Sequence, residues 1–185
     1  MKKILCVAAL GCATILTNAS ARAQNDQDKT FLATASQSDF NEIKLSQLAA
    51  DKASDADVKM FAQKMVTDHQ MLEQNMKPFA DQWGVTPATS LDTKHQALYD
   101  QMSGLSGKDF DKAYMKAMDE DHHVAQTDFV SEKQLTKNKE FKTQVSAGEK
   151  IVSGHTKMAD RLCGKLGVSL PAGATGATGV GSSTM

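Results

Sequence analysis

The stretch Val58-Lys59-Met60-Phe61-Ala62-Gln63-Lys64-Met65-Val66-Thr67-Asp68-His69-Gln70-Met71-Leu72 decides the fold. Its apolar face, Val58, Phe61, Ala62, Met65 and Leu72, continues through Met76, Phe79 and Trp83 at spacings of three, four and seven residues. That is the period of an amphipathic helix with one stripe turned to a core. His69 occupies the gap in the stripe where an apolar residue is due. A polar group buried without a partner costs a few kcal/mol, so the histidine has to be compensated by something that reaches it.

Working outward, Ser54 is placed to cap this helix, with Asp55 and Asp57 in the first turn where the helix dipole favours acids. Gly84 ends it, and Pro78 falls in its last third, where it removes a backbone bond. Upstream, about Asp28 to Ala53 reads as a first helix with Phe31, Ala35, Leu45 and Ala49 on one stripe and Glu42 in that stripe. Downstream, Val85 to Ser106 is a connection containing Pro87 and a short helix around Leu91 to Met102. It is long enough to cross the end of a bundle or to run its length. Ser106 and Asp109 look like a capping pair for a helix from Lys108 to about Thr136, in which Tyr114, Met118, Ala125 and Phe129 surround His122. Asn138 caps a last helix whose face is Phe141, Val145, Val152, Ala159, Leu162 and Leu166, shared with His155. The fold class is therefore all-α: a four-helix bundle with a short extra helix in a long crossover.

Each long helix carries one ligand-type residue near its midpoint: Glu42, His69, His122 and His155. Tight turns near Ser54 and Asn138 make two antiparallel hairpins. Glu42 lies about 12 residues before the first turn and His69 about 15 after it, so at a rise of ~1.5 Å per residue their heights differ by about 5 Å. His122 and His155 straddle the second turn by about 16 and 17 residues and are almost level at that rise. All four are expected to meet mid-bundle.

The ends of the chain read differently. Met1-Lys2-Lys3, the apolar run Ile4 to Leu16 and Ala21-Arg22-Ala23 have the organisation of a secretory leader over residues 1–23, cleaved after Ala23 to leave Gln24 first. Leu10-Gly11-Cys12 offers a rival, a lipoprotein acylated at Cys12. Cleavage after Ala23 takes away Cys6 and Cys12, leaving Cys163 alone and no internal disulfide. It also shifts the formal charge from −1 to −4, because Lys2, Lys3 and Arg22 leave and no acid does. A mildly acidic chain without a basic block is a poor nucleic-acid binder, and no second apolar run approaches membrane-spanning length. Residues 24–170 then form the helical domain, exported to the periplasm or beyond, and residues 171–185, of Gly, Ala, Ser and Thr character, form a flexible tail. Neither a protein partner nor an oligomeric state is legible.

Phe31 to Ala49 with Glu42-Ile43, then Val58-Lys59, Phe61-Ala62, Met65-Val66, Asp68-His69, Ser106-Gly107, Phe110-Asp111, Tyr114 and His122, resemble the bacterial domain-of-unknown-function family 4142 over roughly residues 28–166. The resemblance implies a ferritin-like, exported bundle without an established activity. The chain departs from the family pattern at Gly148-Glu149-Lys150, where a Leu-Pro step is expected before the last histidine.

Imidazole suits Zn, Cu and Fe, and a bundle core can present ligands from facing helices. A ferritin-type di-iron signature needs a carboxylate from two helices and Glu-x-x-His from two more. Here Asp119-x-x-His122 and Glu73, one turn beyond His69, are the nearest approach, so a mononuclear His-rich site fits better. Met65, Met118 and Met158 flank the three histidines, which would suit Cu(I) as ligands, although methionine on an apolar face ordinarily fills core. Asp68 and Asp121 each precede a histidine and can orient an imidazole or serve as surface acids. His95 and His123 are read as incidental, and Asp111 with Tyr114 as a cap and an anchoring hydroxyl. No nucleophile elbow or phosphate loop points to an enzyme. Two functional classes stay open: a metal-binding bundle for metal handling or stress protection, and a metal-free structural or interaction module of the cell envelope in which the same residues form a buried polar network.

Overall fold

A computed structural model describes residues 13–169, with side-chain surroundings from residue 26 onward. The described residues form five helices and no strand: α1 Ala13–Lys52, α2 Ala56–Trp83, α3 Thr93–Ser103, α4 Gly107–Leu135 and α5 Lys139–Leu166. The apolar start of the expected leader, Cys12 and the C-terminal tail lie outside the described residues.

α1 begins well upstream of the expected Asp28, because neither Pro nor Gly interrupts residues 13–52; the expected cleavage point after Ala23 falls inside this helix. The α2 cap is also different. Asp55, in extended conformation, accepts from the Asp57 and Val58 amides, while Ser54 is engaged elsewhere. Ser106 takes the cap position of α4 but makes no side-chain cap bond. Asn138 caps α5 as expected, through the Phe141 amide. Gly84 closes α2 at φ 68°, a left-handed conformation that only glycine adopts without strain.

α1 packs on α2 and α4 on α5; the hairpins join through α1 with α4 and α2 with α5, and α3 lies against α1 and α4. The crossover runs the full length of the bundle. Asp111, at the start of α4, accepts from the Ser54 amide (3.0 Å), the Ser54 hydroxyl (2.5 Å) and the Asp55 amide (2.9 Å), so α4 begins at the α1–α2 turn. Lys165 near the end of α5 reaches the same corner, pairing with Asp55 and Asp57. At the opposite end, Gln27 donates to Glu132 at 2.8 Å. Asp111 is thus a tie between hairpins rather than a cap of its own helix. The Tyr114 hydroxyl anchors α4 to α1 through Ser46 at 2.8 Å.

The core comes in two pieces. One, at the α1–α2 turn end, gathers Leu45, Val58, Phe61, Met65, Phe110, Tyr114, Met118 and Cys163. The other, at the α4–α5 turn end, gathers Leu32, Met76, Ala80, Phe129, Phe141, Val145 and Val152, with Phe31, Phe79 and Trp83 packed edge-on or tilted around it. At Gly148 α5 passes close to the Phe129 ring. A Cβ there would lie 2.5 Å from Cε1 of Phe129, so the helix backbone itself forms the wall for that ring, and α5 runs unbroken through the position.

Candidate functional site

Between the two apolar clusters lies a polar layer. Glu42 from α1, His69 from α2, His122 from α4 and His155 from α5 are all 2 % exposed or less. The structure brings all four together: the imidazole centroids are 5.3–5.7 Å apart, and Glu42 Oε2 lies 2.7 Å from His69 Nε2 and 3.3 Å from His122 Nε2. The height difference of about 5 Å between Glu42 and His69 expected from an ideal rise is absorbed by helix packing and the reach of the glutamate.

Each ring is held by its other nitrogen. His69 Nδ1 donates to Asp39 Oδ1 (2.7 Å), His122 Nδ1 to the Met118 carbonyl (2.7 Å), and His155 Nε2 to Asp68 Oδ2 (2.7 Å). These acceptors cannot donate, so they fix the tautomers and leave His69 Nε2, His122 Nε2 and His155 Nδ1 with lone pairs in the neutral rings. Those three nitrogens and Glu42 Oε2 are buried and, with the rings neutral, have no hydrogen-bond partner; the 2.7 Å between His69 Nε2 and Glu42 Oε2 becomes an ion pair only if the ring is protonated. The three histidines offer nitrogens that all lie within 4.8 Å of one another. Glu42 Oε1 accepts from Ser38 at 3.1 Å.

Burial and charge pull the four in opposite directions. Burial opposes the Glu42 carboxylate, but the His122 and His69 rings hold its pKa down at about 2. Burial opposes a charged His69, but Glu42 and Asp39 raise it to about 10. His122 is lowered, by burial first, in spite of Glu42. His155 is lowered to about 4 by burial, then by the other two rings, against the pull of Asp68.

The flanking candidates divide. Asp68 orients an imidazole, but that of His155 across the α2–α5 interface rather than its neighbour His69. Asp121 binds Lys94 (2.6 Å) and His95 (3.1 Å) and does not reach His122. Met65 and Met118 are fully buried within the apolar cluster. Glu73 faces a separate cavity, and Asp119, on the same helix as His122, lies instead with His123 and Asp160. The pieces of a ferritin-type Glu-x-x-His set therefore do not converge here.

Sequence reading missed Asp39, whose signal was its position three residues before Glu42 on the same helix face. It also misjudged His95, which is 9 % exposed and held by Asn41 (2.9 Å), Asp92 (2.8 Å) and Asp121, pinning α3 across α1 and α4. An open cleft of about 520 Å³ runs beside this network, bounded by Lys94, His95, Asp121 and Val124, and reaches Glu42 and His69.

A family model described as a domain of unknown function (DUF4142) matches residues 13–162, and the chain belongs to that family. The match starts upstream of Asp28, where α1 does as well. No curated protein matches it. Among solved structures, the chain is similar to a DUF305 protein from Streptomyces coelicolor, provisionally named as secreted (14 % identity, TM-score 0.67, 78 % of this chain and 95 % of that one). It is similar to a DUF305 fragment from Deinococcus radiodurans (14 %, 0.66, 75 % and 96 %). A two-domain protein from Anabaena variabilis with DJ-1/ThiJ/PfpI-like and ferritin-like domains also matches (14 %, 0.57, 83 % and 42 %). At such identities the likeness establishes the fold, a ferritin-like helical bundle, and nothing about activity. Among the described residues no helix is long and apolar enough to cross a membrane.

Proposed function

We propose that this protein is an exported bundle that binds one transition-metal ion through Glu42, His69, His122 and His155, for metal handling or stress protection outside the cytoplasm. The observation that carries the reading is the convergence of three buried imidazoles from α2, α4 and α5, with Glu42 Oε2 of α1 2.7 and 3.3 Å from two of them, and no hydrogen-bond donor among these atoms once the imidazoles are neutral. Four such acceptors repel one another in a dry layer, and a cation reverses the sign of that interaction. An oxygen acceptor on the far nitrogen of each ring is the arrangement that orients metal-bound histidines. Three imidazoles and one carboxylate suit Zn or Fe, and Met65 and Met118, as core side chains, give no particular support to Cu(I). The cleft beside His69 supplies a way in for the ion.

One observation favours a metal-free alternative. With its pKa raised to about 10, His69 can carry a proton between Asp39 and Glu42, making the layer a buried ion network. The two readings part on one experiment: metal analysis of protein recovered from its natural compartment, combined with thermal melts in chelator and in added zinc, iron, copper or manganese. A bound ion and a metal-dependent rise in Tm, reduced by His155→Ala, are expected. Melts indifferent to every metal, with no ion in the native sample, overturn the proposal and leave the network. Export is tested separately: the N-terminus of the exported protein is expected at Gln24, and a lipidated Cys12 would replace that leader by an anchor.

A further inference from the structure

We propose that Asp119, His123 and Asp160 form a second divalent-cation site, on the flank where α4 meets α5, that takes a first-row dication with hard to borderline preference such as Mn2+, Fe2+ or Zn2+. The three side chains offer ligand atoms all within 4.8 Å of one another. Asp119 and His123 are one helical turn apart on α4 and so share a face. Asp160 projects from α5, its Oδ1 3.0 Å from His123 Nε2.

Proximity of acids alone would mean little, because surface carboxylates cluster without ligands. What singles out this group is Asp119. It is 0 % exposed, and neither of its carboxylate oxygens has a hydrogen-bond partner. A carboxylate taken out of water and left unpaired is costly, and here a second carboxylate stands beside it. Burial, followed by the neighbouring Asp160, raises the Asp119 pKa to about 6. A dication answers all of this together: two aspartates neutralise its charge, and one imidazole adds a nitrogen.

The donor set has no thiolate or thioether, which excludes a soft-metal preference and matches the oxygen-rich sites of Mn2+, Fe2+ and Zn2+. The side chains of His123 and Asp160 are 32 % and 34 % exposed, so water can complete the coordination shell and an ion can arrive from solvent. His122 and His123 then serve different sites from adjacent positions: one ring points into the bundle, the other onto its flank. This inference does not rest on the mid-bundle reading, since the two groups share no residue.

The test is titration of the full chain with Mn2+, followed by electron paramagnetic resonance, and with Zn2+, followed by equilibrium dialysis. It uses the wild type, Asp119→Asn, Asp160→Asn and, with the mid-bundle layer altered, Glu42→Gln. Both aspartate variants are expected to lose one equivalent of bound ion that Glu42→Gln retains. In chelator, Asp119→Asn is expected to melt no lower than the wild type, because it removes an unpaired buried charge. Asp160→Asn, at a half-exposed position, tests the same site without touching the core. Mn2+ should also broaden the His123 ring resonances. Equal stoichiometry in the wild type and both aspartate variants, or no ion bound by the wild type, overturns the proposal.

Discussion

The two apolar ends of the bundle and the polar layer between them obey opposite energetics. At the ends, Phe141, Val145, Tyr114 and Phe110 are fully buried and gain from every contact they make. In the middle, four equally buried residues carry atoms that water would have satisfied and the protein does not. The ends therefore hold the helices together, and burial of the layer costs stability that only pairing within it, as of His69 with Asp39 and Glu42, offsets. A core optimised only for stability would place leucines at positions 42, 69, 122 and 155. The comparison locates the special residues by the burial cost that apolar side chains at the same positions would not carry.

The largest effect should come from the ends. Phe141→Ala removes a ring in contact with Phe31, Phe79 and Trp83 and is expected to cost about 3–5 kcal/mol, equally in zinc and in chelator, by denaturant unfolding. A loss that depends on metal would break the separation of ends from layer. The layer should behave the other way. At free zinc 100 times the mid-bundle dissociation constant that site should add about 2.7 kcal/mol in the wild type, and His69→Ala should lose this contribution while keeping any gain from the Asp119 site.

A further effect is expected from pH. In the metal-free protein the folded-state pKa of His155 is lowered to about 4, so its neutral form contributes stability that is complete above about 6.5 and lost as pH falls towards 4. His69, raised to about 10, contributes stability that is complete below about 6.5 and lost as pH rises through 10. Chelated protein should thus be most stable between these limits. Because His69 must release its proton to a metal, the zinc-dependent gain should grow from pH 6 to pH 8, and a gain that shrinks over that range contradicts ligation by this ring. The smallest effect is Gly148→Ala: the clash with Phe129 costs about 1–3 kcal/mol, partly offset by about 1 kcal/mol of helix propensity. A stabilised variant would show that the Phe129 ring is free to move.

Much of this was legible in the chain because helical period is a local property. The stripe from Val58 to Trp83 names its own helix, and interruption of four stripes by Glu42, His69, His122 and His155 can be counted without coordinates. Rise per residue then sets their heights, since a helix is nearly a ruler. Caps were read less well: Ser54 and Asp55 are both competent, and the choice went to Asp55 because Asp111, from another hairpin, engages Ser54. The roles of Asp39, Asp68, Asp121 and His95 were misjudged or left open for the same reason.

Sequence determined the helices, their stripes and the level at which polar residues interrupt them, all consequences of backbone periodicity and side-chain polarity within a few turns. Tertiary structure decided that the crossover returns along the whole bundle, that Asp68 serves His155 rather than His69, and that His123 meets Asp119 and Asp160 on the α4–α5 flank. The physical reason is that hydrogen bonds and ligand geometry are directional and act across helices, so they depend on rotations of α2, α4 and α5 about their axes that no single helix specifies.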